Sequence, residues 1–176
     1  MKTQIGKAHV ELVQGDLTQQ ELDVLVNAAN SSLRGGGGVD GALHRAAGPG
    51  LLEDCIRLHP DGCPSGEVRV TPAHDLPARF VAHAVGPVWM GGDAGEAEEL
   101  ASAWRLALLA AEERKAQSIG FPAISCGIYG FPSEEAAGIA RRVLEEELPG
   151  LRHLRTVKIV LFSEEDLFLW EEAFGS

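Results

Sequence analysis

The chain has 176 residues, a formal net charge of −11 at pH 7 and 45% apolar residues. This length suits one domain with a sizeable core, so we expect a single domain over residues 1–176. No apolar run approaches the roughly 20 residues of a membrane helix, and we expect a soluble protein without membrane partners. The negative charge opposes broad polynucleotide binding, because such binding neutralises many phosphates with lysine and arginine.

The cysteines and the N-terminal residues indicate a reducing compartment. Cys55, Cys63 and Cys126 contain no C-x-x-C pair, which argues against a disulfide framework. Histidines and cysteines do not fall at the spacing of a zinc site, so we expect no metal. Met1 to Lys7 lack the apolar core of a signal peptide, so we expect a cytoplasmic location. We also expect a monomer.

Taken in chain order, the apolar patterns alternate between strand and helix periods. We expect Trp104 to belong to the core stripe of a long helix, and Ser133 and Ser163 to cap the two helices that follow them. This alternation predicts an α/β fold with ligands at the carboxyl ends of the strands. Strands are expected at about 9–13, 22–27, 67–71, 79–85, 118–123 and 156–162, and helices at about 39–47, 51–58, 96–115, 133–148 and from 164.

The stretch from Val24 to His44 contains the clearest site chemistry. A buried apolar run ends in Asn27 and Asn30, four glycines follow, and Asp40 comes just behind them. Each glycine loses more backbone entropy on folding than any other residue, so four in succession must meet a requirement. Glycine lets backbone N–H groups approach phosphate oxygens at the start of a helix. We therefore predict an anion-binding loop for a nucleotide diphosphate.

The glycines also satisfy G-x-G-x-x-G from Gly36 to Gly41, the fingerprint of dinucleotide-binding Rossmann domains. That fingerprint requires the strand to run directly into the glycine turn. Here residues 27–34 intervene, which disfavours a nicotinamide-dependent oxidoreductase. A Walker phosphate loop is excluded, because no Gly-Lys-Ser or Gly-Lys-Thr occurs in the chain.

Several long motifs, in the right order, resemble the macrodomain family and in particular its MacroD-type branch. The resemblance covers nearly the whole chain and implies a macrodomain-like three-layer α/β/α fold with a central mixed sheet. It also implies ADP-ribose as the ligand and no cofactor. The motifs are GDLT at 15–18, VNAAN at 26–30, GGGGVDG at 35–41, HRAAGP at 44–49, DLPA at 75–78, HAVGPVW at 83–89 and FPAISCGIYGFP at 121–132.

For the two ends of the ligand, the resemblance implies these roles. Asp16 would accept a hydrogen bond from the adenine amino group, and Leu17 would offer its backbone N–H to the ring. Asn30 would hold the distal ribose, supported by Asn27. The ordinary alternatives are a turn or helix cap for Asp16 and strand-end or turn positions for the asparagines.

Asp40 is the only carboxylate in the glycine block, and a helix N-terminus stabilises its negative charge, making it a weak general base. It would orient a water and stabilise positive charge at C1 of the distal ribose. Either Asp40 or a substrate phosphate would activate that water. His44, one helical turn on, matches a residue beside this site, although an ordinary packed histidine is an equal alternative.

The second ligand loop would contribute N–H groups from Ser125, Cys126, Gly127, Ile128 and Tyr129, facing Gly37, Gly38 and Val39 across the diphosphate. Many relatives carry threonine in place of Cys126, which changes little where backbone groups bind. The adenine-stacking aromatic falls at Phe162. The alternative for Phe162 is a hydrophobic staple onto Leu167.

These features predict a metal-independent hydrolase that cleaves ester-linked ADP-ribose. The partners would be proteins mono-ADP-ribosylated on aspartate or glutamate and O-acetyl-ADP-ribose, with ADP-ribosylated nucleic-acid ends as a further substrate class. The alternative is a non-catalytic reader that binds ADP-ribose without turnover. The sequence leaves the physiological substrate open.

Overall fold

A computed structural model describes residues 1–175, in which seven strands form one mixed sheet between two layers of helices. The strands are β1 (Lys2–Ile5), β2 (Ala8–Gln14), β3 (Val24–Ala29), β4 (Val68–Pro72), β5 (Phe80–Val85), β6 (Ser118–Phe121) and β7 (Thr156–Leu161). The helices are α1 (Gly38–Ala47), α2 (Pro49–Leu58), α3 (Glu96–Glu113), α4 (Ser133–Glu147) and α5 (Glu164–Gly175), with 3-10 helices at Leu17–Gln19 and Leu148–Gly150. The predicted three-layer α/β/α fold is confirmed.

The order of the strands brings their carboxyl ends to one edge of the sheet. The order is β1-β2-β7-β6-β3-β5-β4, and only the two edge pairs, β1 with β2 and β4 with β5, are antiparallel. The five inner strands are parallel, so the loops that follow them all leave from the same side. A ligand on that side therefore meets several loops at once.

The two faces of the sheet bury separate apolar clusters, because side chains alternate along each strand. On β3, Val24 and Val26 face the cluster formed with α3, α4 and α5, whereas Leu25 faces α1 and α2. Trp104 is fully buried and stacks on Phe121 with ring centroids 4.1 Å apart, so its predicted place in the core is confirmed. In residues 1–175 no helix combines the length and apolarity needed to cross a bilayer.

Three local expectations differ from the structure. β1 was not predicted, because this short edge strand has little apolar alternation. Pro49 begins α2 instead of separating it from α1, since the first helical residue needs no N–H partner. Ser133 is not a cap: Pro132 holds that position with ψ of 127°, and no side chain caps the start of α4. The predicted Ser163 cap is confirmed by its Oγ, which accepts the Asp166 N–H at 3.1 Å.

A single carboxylate organises the loop between β5 and α3. Glu96 Oε2 accepts the N–H groups of Met90 and Gly92 at 2.8 and 2.9 Å, and its Oε1 accepts that of Ala94 at 2.6 Å. These backbone donors lower the pKa of Glu96 from 4.5 to about 2. The loop conformation therefore depends on the charged form of this side chain.

Glu96→Gln should lower the free energy of unfolding at neutral pH, because an amide presents only one acceptor oxygen to three donors. The folded-state pKa of Glu96 lies below its unfolded value of 4.5, so its stabilisation is present above that pH and is lost as pH falls toward about 2. In urea titrations the difference between wild type and variant should shrink from about pH 6 to about pH 3. A difference that stays constant over this range would contradict the assignment.

Candidate functional site

A cleft opens at the carboxyl edge of the sheet, between the loop that follows β3 and the loop that follows β6. It encloses about 700 Å³ of space, part of which is open solvent at its mouth. Its lining consists of Ala28, Ala29, Asn30, Gly36, Gly37, Gly38, Val39, Asp40, Gly86, Ala123, Ile124, Ser125, Gly127, Ile128 and Tyr129.

The two loops face each other across this cleft, as predicted. Ile128 Cδ1 lies 3.9 Å from the position that a Cβ on Gly37 would occupy. The Ile128 side chain is otherwise 89% exposed. It therefore forms one wall of the cleft without being part of the core.

The glycine loop supplies donors because it ends in a helix N-terminus. Gly37 is the N-cap of α1, and Gly38 and Val39 are its first residues. The first N–H groups of a helix have no intrahelical acceptors, and the helix dipole adds partial positive charge there. Gly38 adopts φ of +58°, a conformation that favours glycine. The arrangement is suited to an anion.

The loop after β6 supplies donors on the opposite wall. In the described part of the chain, the N–H groups of Ser125, Gly127, Ile128 and Tyr129 have no protein acceptor. Cys126 is the exception, because its N–H donates to the Ala123 carbonyl at 3.2 Å and its side chain does not line the cleft. The expectation that the Cys126 amide joins the anion site is therefore wrong for this conformation of the loop.

Ser125 holds a strained position beside the cleft. It has φ of +67°, which is uncommon for a residue with a side chain, and its buried Oγ has no hydrogen-bond partner within residues 1–175. A Cβ on Gly86 would collide with this Oγ, so glycine at the end of β5 makes room for the loop. Strain and an unpaired hydroxyl in one place are typical of functional loops.

Asn30 and Asp40 both lie beside the side-chain position of Gly36. Asp40 Oδ2 and Asn30 Nδ2 are 3.2 and 3.3 Å from where a Gly36 Cβ would be, so a side chain there would crowd both. Asn30 Nδ2 donates to the Gly35 carbonyl at 3.0 Å, and its Oδ1 accepts from Ser32 Oγ at 2.7 Å. The amide keeps a second hydrogen and a second lone pair for a ligand.

Polar groups outside the cleft lining contact the Asp40 carboxylate or its partner Asn27. Asn27 is fully buried, does not line the cleft, and donates from Nδ2 to Asp40 Oδ1 at 2.8 Å. Asn27 Nδ2 also lies 3.1 Å from Nδ1 of the buried His83. His44 Nε2 is 3.4 Å from Asp40 Oδ1 and packs behind the carboxylate instead of lining the cleft. The sequence predicted the support from Asn27 but assigned no role to His83.

Asp16, Leu17 and Phe162 lie farther along the same edge, outside the cleft lining. Asp16 and Phe162 follow the paired parallel strands β2 and β7, three and two strands from β3. At about 4.8 Å per strand this places them roughly 10–14 Å from the glycine loop, the reach of a dinucleotide-sized ligand.

The helix cap that was the alternative role of Asp16 is present: its Oδ1 accepts the N–H and the hydroxyl of Thr18 at 2.9 and 2.7 Å. Its other carboxylate oxygen has no partner among the described residues. Leu17 is buried. Phe162 is 90% exposed, so the alternative of a staple onto Leu167 is wrong and both faces of the ring are accessible.

The cysteines offer no reactive thiol. Burial raises the pKa of Cys55 and Cys63 to about 11 and that of Cys126 to about 12, well above neutral pH. Within residues 1–175 no group of three or more histidine, cysteine or acidic side chains is arranged to hold a metal ion. The polar side chains that line the cleft belong to Asn30, Asp40, Ser125 and Tyr129.

Two features of the site were missed by the sequence reasoning, His83 and Gly86. The signal for His83 is a lone polar residue within the buried run Val81 to Val85, where an unpaired imidazole would be costly. The signal for Gly86 is its place directly after that strand.

Comparison with known proteins agrees with this geometry. The Macro domain family model matches residues 26–140. A Klebsiella pneumoniae protein named O-acetyl-ADP-ribose deacetylase is 51% identical over 168 residues, covering 94% of this chain and 96% of its own. A macro domain-containing protein of Methanosarcina mazei is 47% identical over 165 residues, covering 94% and 87%.

Solved structures agree as well. A mutant Oceanobacillus iheyensis macrodomain with ADPR has a TM-score of 0.94 and 44% identity, covering 99% of this chain and 96% of its own. A Trypanosoma brucei macrodomain in complex with ADP has a TM-score of 0.85 and 40% identity, covering 94% and 69%. With the family model matching well over half of the chain, this protein belongs to the Macro domain family.

Proposed function

We propose that this protein binds ADP-ribose along the carboxyl edge of its sheet and hydrolyses an ester at the distal ribose. The observation that carries the proposal is the position of Asp40. It is a 5% exposed carboxylate that lines the cleft, next to Asn30 and between two loops of free N–H groups. A diphosphate bound to those loops would bring the attached sugar to Asp40.

Main-chain donors explain how a protein with a net charge of −11 would hold a diphosphate. Gly37 to Val39 line one wall of the cleft and Gly127 to Tyr129 line the other, and their N–H groups would bind the diphosphate. Local dipoles act at contact distance, whereas the repulsion from distant surface carboxylates is screened by salt. The adenine would lie between Phe162 and the free oxygen of Asp16.

The reaction adds one water to the ester. The C–O bond between the acyl group and the ribose breaks, and the products are ADP-ribose and a carboxylic acid. Asp40 Oδ1 is occupied by Asn27, so Oδ2, which points toward Gly36 and Asn30, would orient the water or stabilise positive charge on the ribose. Asp40 or a substrate phosphate would take the proton of the water and pass it to the departing oxygen, while the OH of the water goes to the carbon of the broken C–O bond.

The open mouth of the cleft suits substrates that carry a group beyond the distal ribose. Proteins mono-ADP-ribosylated on aspartate or glutamate and O-acetyl-ADP-ribose both present an ester there. Relatives named O-acetyl-ADP-ribose deacetylase support the second substrate. ADP-ribosylated nucleic-acid ends are a third candidate, although a protein of this charge would repel the rest of a polynucleotide.

Turnover should be measured in parallel on O-acetyl-ADP-ribose, on an ester-linked ADP-ribosylated protein and on an ADP-ribosylated nucleic-acid end. Release of ADP-ribose or acetate by catalytic amounts of protein supports the hydrolase. Tight ADP-ribose binding without release from any of the three would identify a non-catalytic reader instead.

Asp40→Asn should lower kcat by about 100-fold or more, the usual contribution of a positioned acid or base. The change preserves the shape of the side chain, so the ADP-ribose Kd from calorimetry should stay within about threefold. Glu164→Gln is the matched control, because Glu164 is an exposed acid in the first turn of α5 and does not line the cleft. An unchanged kcat in Asp40→Asn would remove this residue from the mechanism.

Phe162→Ala should weaken ADP-ribose binding by about 5- to 100-fold, since stacking of a base on an aromatic ring contributes about 1–3 kcal/mol. Binding of ribose 5-phosphate, which has no base, should not change. Phe168→Ala is the control for removing an exposed ring, because Phe168 on α5 is 62% exposed. Equal effects of the two variants in calorimetry would refute an adenine contact at Phe162.

A further inference from the structure

His83 is buried in the middle of β5, on the face of the sheet that carries Asn27. The parallel register places Asn27 beside His83, so the two side chains emerge on the same side. Both are fully buried, in strands whose other residues are apolar. A buried imidazole is stable only where its nitrogens are hydrogen-bonded, so its contacts define its state.

The contacts determine which way the Asn27 amide faces. A carboxylate only accepts hydrogen bonds, so the atom 2.8 Å from Asp40 Oδ1 must be the amide nitrogen of Asn27. The oxygen of that amide is buried and has no partner in the described residues. No hydrogen bond on its oxygen side therefore opposes rotation of the amide.

The second hydrogen of the same nitrogen determines the tautomer of His83. It points to Nδ1 at 3.1 Å, which must therefore be the unprotonated, accepting nitrogen. The ring proton is then on Nε2, where it donates to Thr71 Oγ1 at 3.0 Å, with Cys55 Sγ at 3.7 Å. Burial lowers the pKa of His83 from 6.5 to about 3, which agrees with a neutral ring.

We propose that His83 is a positioning residue, whose Nδ1 keeps the Asn27 amide donating to Asp40 and so fixes that carboxylate at the cleft. Without Nδ1 the amide loses one of the two acceptors that orient it. Rotation would place its oxygen against Asp40, and the repulsion would move the carboxylate away from Asn30. The kinetic consequence rests on the proposed hydrolysis, whereas the hydrogen-bond consequence does not.

Two substitutions distinguish the contribution of Nδ1 of His83 from that of Nε2. In His83→Asn the side-chain oxygen can occupy the position of Nδ1 and accept from Asn27, although the hydrogen bond to Thr71 is lost. The longer side chain in His83→Gln reaches toward Thr71 and loses the Nδ1 acceptor. His59→Gln is the matched control, because His59 is half-buried and bonds the Val70 carbonyl at 2.8 Å, away from Asp40.

The kinetic experiment measures kcat, the ADP-ribose Kd and thermal stability for all three variants. We expect His83→Gln to lower kcat by about tenfold or more. In metal sites, losing the residue that orients a ligand has an effect of this size. The Kd should stay within about twofold of wild type. His83→Asn should recover most of kcat even though it also loses stability. Equal kcat in the two variants, or losses of kcat that follow stability, would overturn the proposal.

A spectroscopic experiment tests the same proposal without turnover, so that failure of the hydrolase assay remains distinguishable. Nitrogen-15 NMR of the whole protein should show His83 as the neutral Nε2–H tautomer from about pH 5 to 8. The Asn27 side-chain amide should be protected from exchange in wild type and in His83→Asn but exchange faster in His83→Gln. A protonated Nδ1, or equal protection in the two variants, would overturn the proposal.

Discussion

The hydrogen bond from Asn27 Nδ2 to Asp40 Oδ1 joins the end of a central strand to the first turn of α1, and the site is arranged around it. Its donor belongs to a central strand of the sheet, and its acceptor belongs to a helix that follows a glycine run. The bond therefore fixes the carboxylate relative to the strands. The loop after β6 follows a strand paired with β3, so the two walls of the cleft begin at neighbouring strands.

In the proposed function, binding and chemistry use different groups of the cleft. Backbone N–H groups would carry the diphosphate, and they neither titrate nor attract other anions over long distances. Side chains are kept for the sugar, where the chemistry needs a charge that is held in one place. This division explains how a strongly acidic protein can carry an anion site, and why a variant of one side chain is expected to affect turnover more than affinity.

Much of the fold and part of the site followed from the sequence. The long apolar periods predicted helices and strands close to their observed bounds, and the alternation of the two predicted the layered sheet. The glycine tetrad and Asp40 were identified because their residue types suit a helix N-terminus. The polar edge strand β1 and the helical start at Pro49 were missed, since propensity is a weak signal where pairing with a neighbour or a chain terminus decides the structure.

The order of residues alone indicated which chemistry each segment carries, because helix starts, glycine turns and buried strands are local properties of the chain. It did not indicate that His83 contacts Asn27, or that the Cys126 amide bonds within its own loop while the N–H groups of its neighbours find no acceptor among the described residues. Those facts depend on strand register and on the direction of individual N–H groups. Strand register and N–H direction are set only when segments distant in sequence pack together. They determine which of the predicted residues contact each other.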